Sequence, residues 1–230
     1  MFYYYDPTMI LVLIGAMLSM WASSRVQSTF NKYSKVRSMT GMTGAEAARR
    51  LLNAQGIYDV TVRSVPGQLT DHYDPRNKTL NLSDSVYGSS SVASIGVAAH
   101  ECGHAIQDNV GYAPLKIRGA FVPVANFGAK LSLPLILIGM LIGFTSFIEV
   151  GIWMFVLVVL FQVITLPVEF NASSRAVALL GETGILRDSE LDHTKKVLGA
   201  AALTYVAAVA ASVLQLLRLI ILFGGRRNRD

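Results

Sequence analysis

The sequence predicts a mainly α-helical membrane protein with one small α+β unit and about four transmembrane helices. Two observations of composition and pattern lead there. Of the 230 residues, 52% are hydrophobic and only 15% are charged, well below the roughly 25% charge of soluble domains. Four long stretches carry almost no charge, and between the first and second lies a segment whose apolar pattern alternates between helical and strand periods.

The first apolar stretch runs from Met9 to Ala22. Its uninterrupted core falls short of the ~20 residues a span needs. Counted from Phe2, with only Asp6 charged, the reach suffices, and Tyr3, Tyr4, Tyr5 and Trp21 suit the two interfaces. Arg25, Lys32, Lys35 and Arg37 follow the apolar core, whereas a cleaved signal peptide carries its basic residues ahead of it. Residues 1–24 are expected to form an uncleaved anchor with its N-terminus outside.

Residues 25–130 are expected to form the α+β unit. Thr43 and Glu46 frame a capping box, Ala47, Leu51 and Leu52 give the following helix an apolar face, and Gly56 stops it. Val60 and Val62 alternate with polar neighbours as in a strand. Asp74 to Asn77 has turn chemistry, and Thr79 to Ser83 alternates again. That second strand is either an ordinary sheet member or an edge that pairs with an extended substrate. Ser90 or Ser91 caps the next helix.

Residues 131–168 hold the second and third stretches, Leu131–Phe147 and Val150–Val168, with Ile148 and Glu149 between them. They read as a transmembrane hairpin turning at that pair. A helix over 169–196 and a last span with a basic tail over 197–230 complete the expected organisation. The segment 25–130 holds twelve Lys and Arg, and Arg175, Arg187, Lys195 and Lys196 follow the third stretch. Both regions are therefore expected in the cytoplasm. Four spans would leave Arg226, Arg227 and Arg229 outside, against that rule. The net charge of +5 calls for no nucleic-acid partner, and the single Cys102 excludes an internal disulfide.

Within the expected unit, Val97–Asp108 reads VAAHECGHAIQD. On a helix, His100 and His104 share a face and can bind one metal. Glu101, one step round, lies beside that metal and is placed to take a proton from water. Cys102 faces away. Three ligands are the usual complement of a catalytic zinc. The third candidate is Glu169, a carboxylate ending the third apolar stretch, where the hairpin returns the chain to the side of the histidines. A helix-start carboxylate favoured by the dipole is the plain alternative. Arg175, Tyr205 and His193 are candidates to stabilise an oxyanion or touch substrate. Arg175 could instead pair with a carboxylate, Tyr205 pack, and His193 stand in solvent. His72 could line the cleft or be a turn residue.

The stretches GMTGAEAARRLL, DHYDP, VAAHECGHAIQD, LPVEFNAS and AAALTYVAA together resemble the YugP-like neutral zinc metallopeptidases, a bacterial membrane family more distantly similar to the HtpX group. The resemblance covers nearly the whole chain. It implies a zincin-like unit with one Zn2+ on His100, His104 and Glu169, Glu101 as general base, and hydrolysis of protein or peptide substrates. It also implies a multi-pass protein of the bacterial plasma membrane, in contact with lipid. In the HtpX pattern an Asp follows the ligand Glu by four residues. Ser173 stands there in this sequence, which leaves the supporting role to Asn171 or another group. The competing classes are a zinc transporter, which would want Pro in place of Gly103, and a membrane zinc-binding scaffold without turnover.

Overall fold

A computed structural model describes residues 6–224. The aromatic run Phe2–Tyr5 and the basic tail Arg226, Arg227 and Arg229 lie outside the described residues. The elements in order are α1 (Met9–Tyr33), α2 (Gly44–Ala54), β1 (Thr61–Val65), β2 (His72–Asp74), β3 (Thr79–Ser83), α3 (Asp84–Tyr87), α4 (Val92–Asn109), α5 (Ala113–Ile142), α6 (Thr145–Glu182) and α7 (Ser189–Phe223). The chain divides into two compact units. The first comprises Met1–Ser23, Ile117–Leu166 and Thr204–Asp230; the second comprises Ser24–Lys116 and Pro167–Leu203.

The second unit has a conventional buried core. Leu51 and Leu52 from α2, Leu80 and Leu82 from β3, Ile95 from α4 and Leu180 from α6 are all buried within it. The capping box opens α2 as its sequence requires: Thr43 Oγ1 accepts from the Glu46 amide at 3.2 Å, and the Thr43 amide donates to Glu46 Oε2 at 2.8 Å. Gln55 caps the end and Gly56 takes φ +69, a left-handed conformation that glycine adopts without strain. Asp74 accepts from the Arg76 amide and side chain, forming the turn before β3.

The sheet order is β1-β3-β2, with β3 parallel to β1 and antiparallel to β2. Of the two readings of Thr79–Ser83, this decides for the ordinary sheet member. Both hydrogen-bonding edges of β3 are taken, so β1 and β2 present the free edges.

In the first unit, α5 and α6 turn at Gly143 and Phe144, not at Ile148–Glu149. Gly143 adopts φ +71 and the Phe144 amide returns to the Gly139 carbonyl at 2.9 Å, which closes the helix early. Ile148 is instead buried inside α6, beside Gly139. The expected separate helix over 169–196 is also corrected. α6 continues through Pro167 to Glu182, and the break falls at Thr183–Asp188, where Gly184 and Asp188 take positive φ.

The first unit packs on small residues. A Cβ at Gly128 would lie 2.7 Å from the Met154 carbonyl oxygen, and one at Gly15 would lie 3.0 Å from Ala211 Cα. Small residues let helix backbones approach closely where no water drives association. α1 and α7 run antiparallel there, with Arg218 of α7 paired to Asp6 just ahead of α1 at 2.6 Å. Outward positions stay apolar: Leu141 is 85% exposed and Trp153 69%. Among the described residues, four helices, α1, α5, α6 and α7, are long and apolar enough to cross a membrane. Exposed apolar surface on that scale fits lipid, not water. The chain is a mainly α membrane protein with a small α+β unit.

Candidate metal centre

Ser91 caps α4 through the Ser94 amide at 3.1 Å, and the helix behind it is buried over most of its length. His100 and His104 lie one turn apart on one face, with ring centroids 4.8 Å apart and planes nearly perpendicular. Gly103 lies between them in sequence and admits α6. A Cβ there would lie 2.5 Å from the Ala172 carbonyl oxygen. This close crossing brings Glu169, three residues before Ala172, onto the imidazoles. Its Oε2 is 3.2 Å from His100 Nε2 and 3.5 Å from His104 Nε2. The three ligand atoms lie within 4.8 Å of one another, and Glu169 is only 3% exposed.

The surrounding hydrogen bonds fit a metal ion at that point. Gln107 donates its Nε2 to the Val168 carbonyl at 2.8 Å and to Asn171 Oδ1 at 3.0 Å. Its Oε1 therefore faces His104 Nδ1, at 3.0 Å, as an acceptor. Nδ1 must carry the proton, which leaves the Nε2 lone pair of a neutral imidazole aimed at the shared point. His100 Nδ1 is held by the Ser173 hydroxyl at 3.0 Å. Burial by itself would push the His104 imidazole down, but the Glu169 carboxylate, Glu101 and Gln107 outweigh it and hold it above its usual value. A buried carboxylate between two imidazoles requires a cation, either a proton or a metal.

Glu101 is buried at 7% exposure on the same helix. Asp71, which accepts the Ser83 amide at 2.8 Å, is lifted above the usual carboxylate range by burial, and the negative charge of Glu101 adds to that lift. Cys102 is fully buried and its Sγ approaches the Ala48 carbonyl at 3.6 Å. Burial pushes its thiol far up, so it is inert.

Of the remaining candidates, His72 and His193 are not gathered with these. Among the described residues, the metal-competent group contains neither His72 nor His193. His72 sits on edge strand β2, held by the Thr70 carbonyl at 2.9 Å and Asn81 Nδ2 at 3.1 Å. The His193 ring packs 4.7 Å from the Tyr33 ring, with its Nδ1 buried and unbonded. It is not the solvent-exposed residue of the plain alternative. Arg175 donates Nε to Asn171 Oδ1 at 2.8 Å, an amide where the plain alternative expected a carboxylate. Tyr205 belongs to the other unit. Asn171 reaches the centre through Gln107, while Ser173 and Gln107 themselves hold the imidazoles. Gln107 was detectable in sequence as the polar residue one turn past His104. Ser173 was visible only as a departure from a pattern.

The family described as "Putative neutral zinc metallopeptidase" matches residues 8–224. The chain belongs to this family. The protein named "Putative membrane protease YugP" of Bacillus subtilis (strain 168) is 48% identical over 213 residues, covering 93% of this chain and 95% of that protein. No solved structure matches. Membership implies zinc and a protein or peptide substrate, and the helices agree with a place in the membrane.

Proposed function

We propose that the chain is a membrane-embedded zinc endopeptidase, with one Zn2+ held by His100, His104 and Glu169 and with Glu101 as general base. The observation that carries this reading is the buried meeting of the Glu169 carboxylate with both Nε2 atoms. Zinc bound there would supply a Lewis acid that polarises a peptide carbonyl and acidifies water. Glu101, next to His100 on the same buried turn, takes the proton from the attacking water and passes it to the leaving amine. Gln107 fixes the His104 ring in the tautomer that ligation needs, and Ser173 orients the His100 ring. Arg175 lies on the ligand helix and gives its Nε to Asn171; we assign its Nη groups to the substrate oxyanion.

The excess of Lys and Arg in 25–130 supports a cytoplasmic site in the bacterial plasma membrane. Turnover of membrane proteins, as in quality control, is the setting we assign. A transporter would carry its histidines inside a span, yet α4 is not among the four helices apolar enough to cross.

The test separates a hydrolase from a scaffold or transporter. Glu101→Gln in the full chain should keep one zinc per protein by elemental analysis. Casein hydrolysis should fall by about 10²–10⁴-fold, the usual share of a general base. A zinc-loaded Gln variant that cleaves as fast as the wild type would overturn the reading. Comparative proteomics of cells carrying either form would then name substrates.

A further inference from the structure

Away from the metal centre, the second unit holds a cleft between the last turns of α1 and the first turns of α7, with a volume of about 710 Å³. Arg25, Ser28, Thr29 and Lys32 line it from α1, and Lys196 with Gly199 line it from α7. The α1 residues follow the i, i+3, i+4, i+7 spacing of one helix face. The α7 face is spaced the same way and ends in Ala200 and Leu203, which are apolar. Three cations and two hydroxyls therefore converge over an apolar floor, with no carboxylate in the lining.

The cations have no internal use. Neighbouring Lys195 is paired with Asp192 at 3.2 Å. Arg25, Lys32 and Lys196 have no ion-pair partner among the described residues, and Lys32 Nζ merely overlies the Tyr33 ring at 5.4 Å. Position along the helices defines the ligand. Arg25 is the first charge after the apolar run of α1, which ends at Ala22, and Lys196 is the last before the apolar run of α7 begins at Val197. The cleft thus lies at the polar margin of two spans. A ligand that uses both its cations and its floor carries an anionic head on an apolar tail.

We propose that this cleft binds the phosphate headgroup of an anionic phospholipid from the surrounding membrane. A soluble phosphate would meet the same cations but leave Ala200 and Leu203 unused.

The full-length protein, mixed in detergent with equal phosphatidylglycerol and phosphatidylcholine, is read by native mass spectrometry. The wild type should retain phosphatidylglycerol over phosphatidylcholine by about tenfold, since each cation near a headgroup adds to the preference. The combined variant Arg25→Gln, Lys32→Gln, Lys196→Gln should lose that preference. Gly199→Leu keeps every charge but should also lose it, because a side chain there enters space with no atom within 4 Å of its Cβ. Lys195→Gln should retain it, and zinc content checks that each variant is folded. Equal retention of both lipids by the wild type, or an undiminished preference in either cleft variant, overturns the proposal. Loss of the preference on adding millimolar inorganic phosphate would also overturn it, by assigning the cleft to a soluble anion.

Discussion

Gly103 on α4 and Gly151 on α6 are each pressed against a neighbouring helix. An added Cβ would lie 2.5 Å from the Ala172 carbonyl oxygen at the first and 2.9 Å from the Ser132 carbonyl oxygen at the second. The backbone device is the same, and its surroundings are opposite. Around Gly151 the neighbours are Ile136 and Ser132, and many other residues of that unit are exposed apolar side chains such as Leu133 and Leu137. Around Gly103 lie His100, His104 and, three residues before Ala172, Glu169. In the first unit close approach serves packing alone, where van der Waals contact replaces the hydrophobic drive that lipid cannot supply. In the second it brings together three polar groups able to share one metal ion, whose ligand atoms lie within 4.8 Å of one another. Displacement of the backbone should therefore cost stability in one place and chemistry in the other.

The largest effect belongs to the proposed ligands. Glu169→Ala leaves two imidazoles without their carboxylate, and His104→Ala removes half of the helical pair. Either variant should copurify with less than about a tenth of the wild-type zinc and show peptidase activity at background, since a catalytic zinc needs its three protein ligands. Elemental analysis alongside casein cleavage reads both. A Glu169→Ala protein with full zinc would remove Glu169 from the ligand set.

Next comes the comparison itself. Gly103→Ala should cost about 1–3 kcal/mol through overpacking, because a backbone carbonyl cannot rotate away. It should also weaken zinc binding by more than about tenfold, as α6 is pushed off α4 and Glu169 goes with it. Gly151→Ala should cost a similar amount of stability at its own contact and leave zinc affinity unchanged. Thermal unfolding in detergent and zinc titration against a competing chelator give the two readouts. Equal zinc losses in both variants would mean that the first unit also positions the ligands.

How much of this was legible beforehand follows the same division. His100 and His104 could be read because i and i+4 share a helix face whatever surrounds the helix. Glu169 could be read because a lone carboxylate at the end of an uncharged run is costly without a use. The capping box at Thr43 and the stop at Gly56 are local and were legible for that reason. What escaped depends on contacts between distant segments. The parallel pairing of β1 with β3, which makes β3 central, leaves no mark inside either strand. The turn at Gly143 and the continuity of α6 through Pro167 were hidden because hydropathy does not change there. Ser173 carries no signature of its partner, and Gln107 shows only a polar place one turn past His104. They become supports only because α6 crosses α4 at Gly103.

Those supports make the third prediction. Ser173→Ala and Gln107→Ala each remove the group that holds one imidazole Nδ1. Each should lower zinc affinity by about 10–100-fold while leaving the fold intact. Gln107 should be the more sensitive site, because it is fully buried and also bonds the Val168 carbonyl and Asn171. Its loss opens a buried gap and removes the bonds to Val168 and Asn171 as well as freeing the ring. If both variants bind zinc as tightly as the wild type, the rings are oriented by packing alone.

The smallest effect tests the other side of the comparison. Leu141 is the most exposed large apolar residue of α5. If the first unit faces lipid, its side chain is surrounded by hydrocarbon in the folded protein, and truncation opens no cavity. Leu141→Ala should then change stability by no more than about 0.5 kcal/mol, as for surface positions generally. Leu180→Ala, at a fully buried position of the second unit, should cost about 2–5 kcal/mol by the cavity it leaves. Thermal unfolding of both variants in the same detergent makes the contrast direct. A Leu141 variant as damaged as the Leu180 one would mean that a partner helix, from a second copy of the chain or another protein, covers that face of α5.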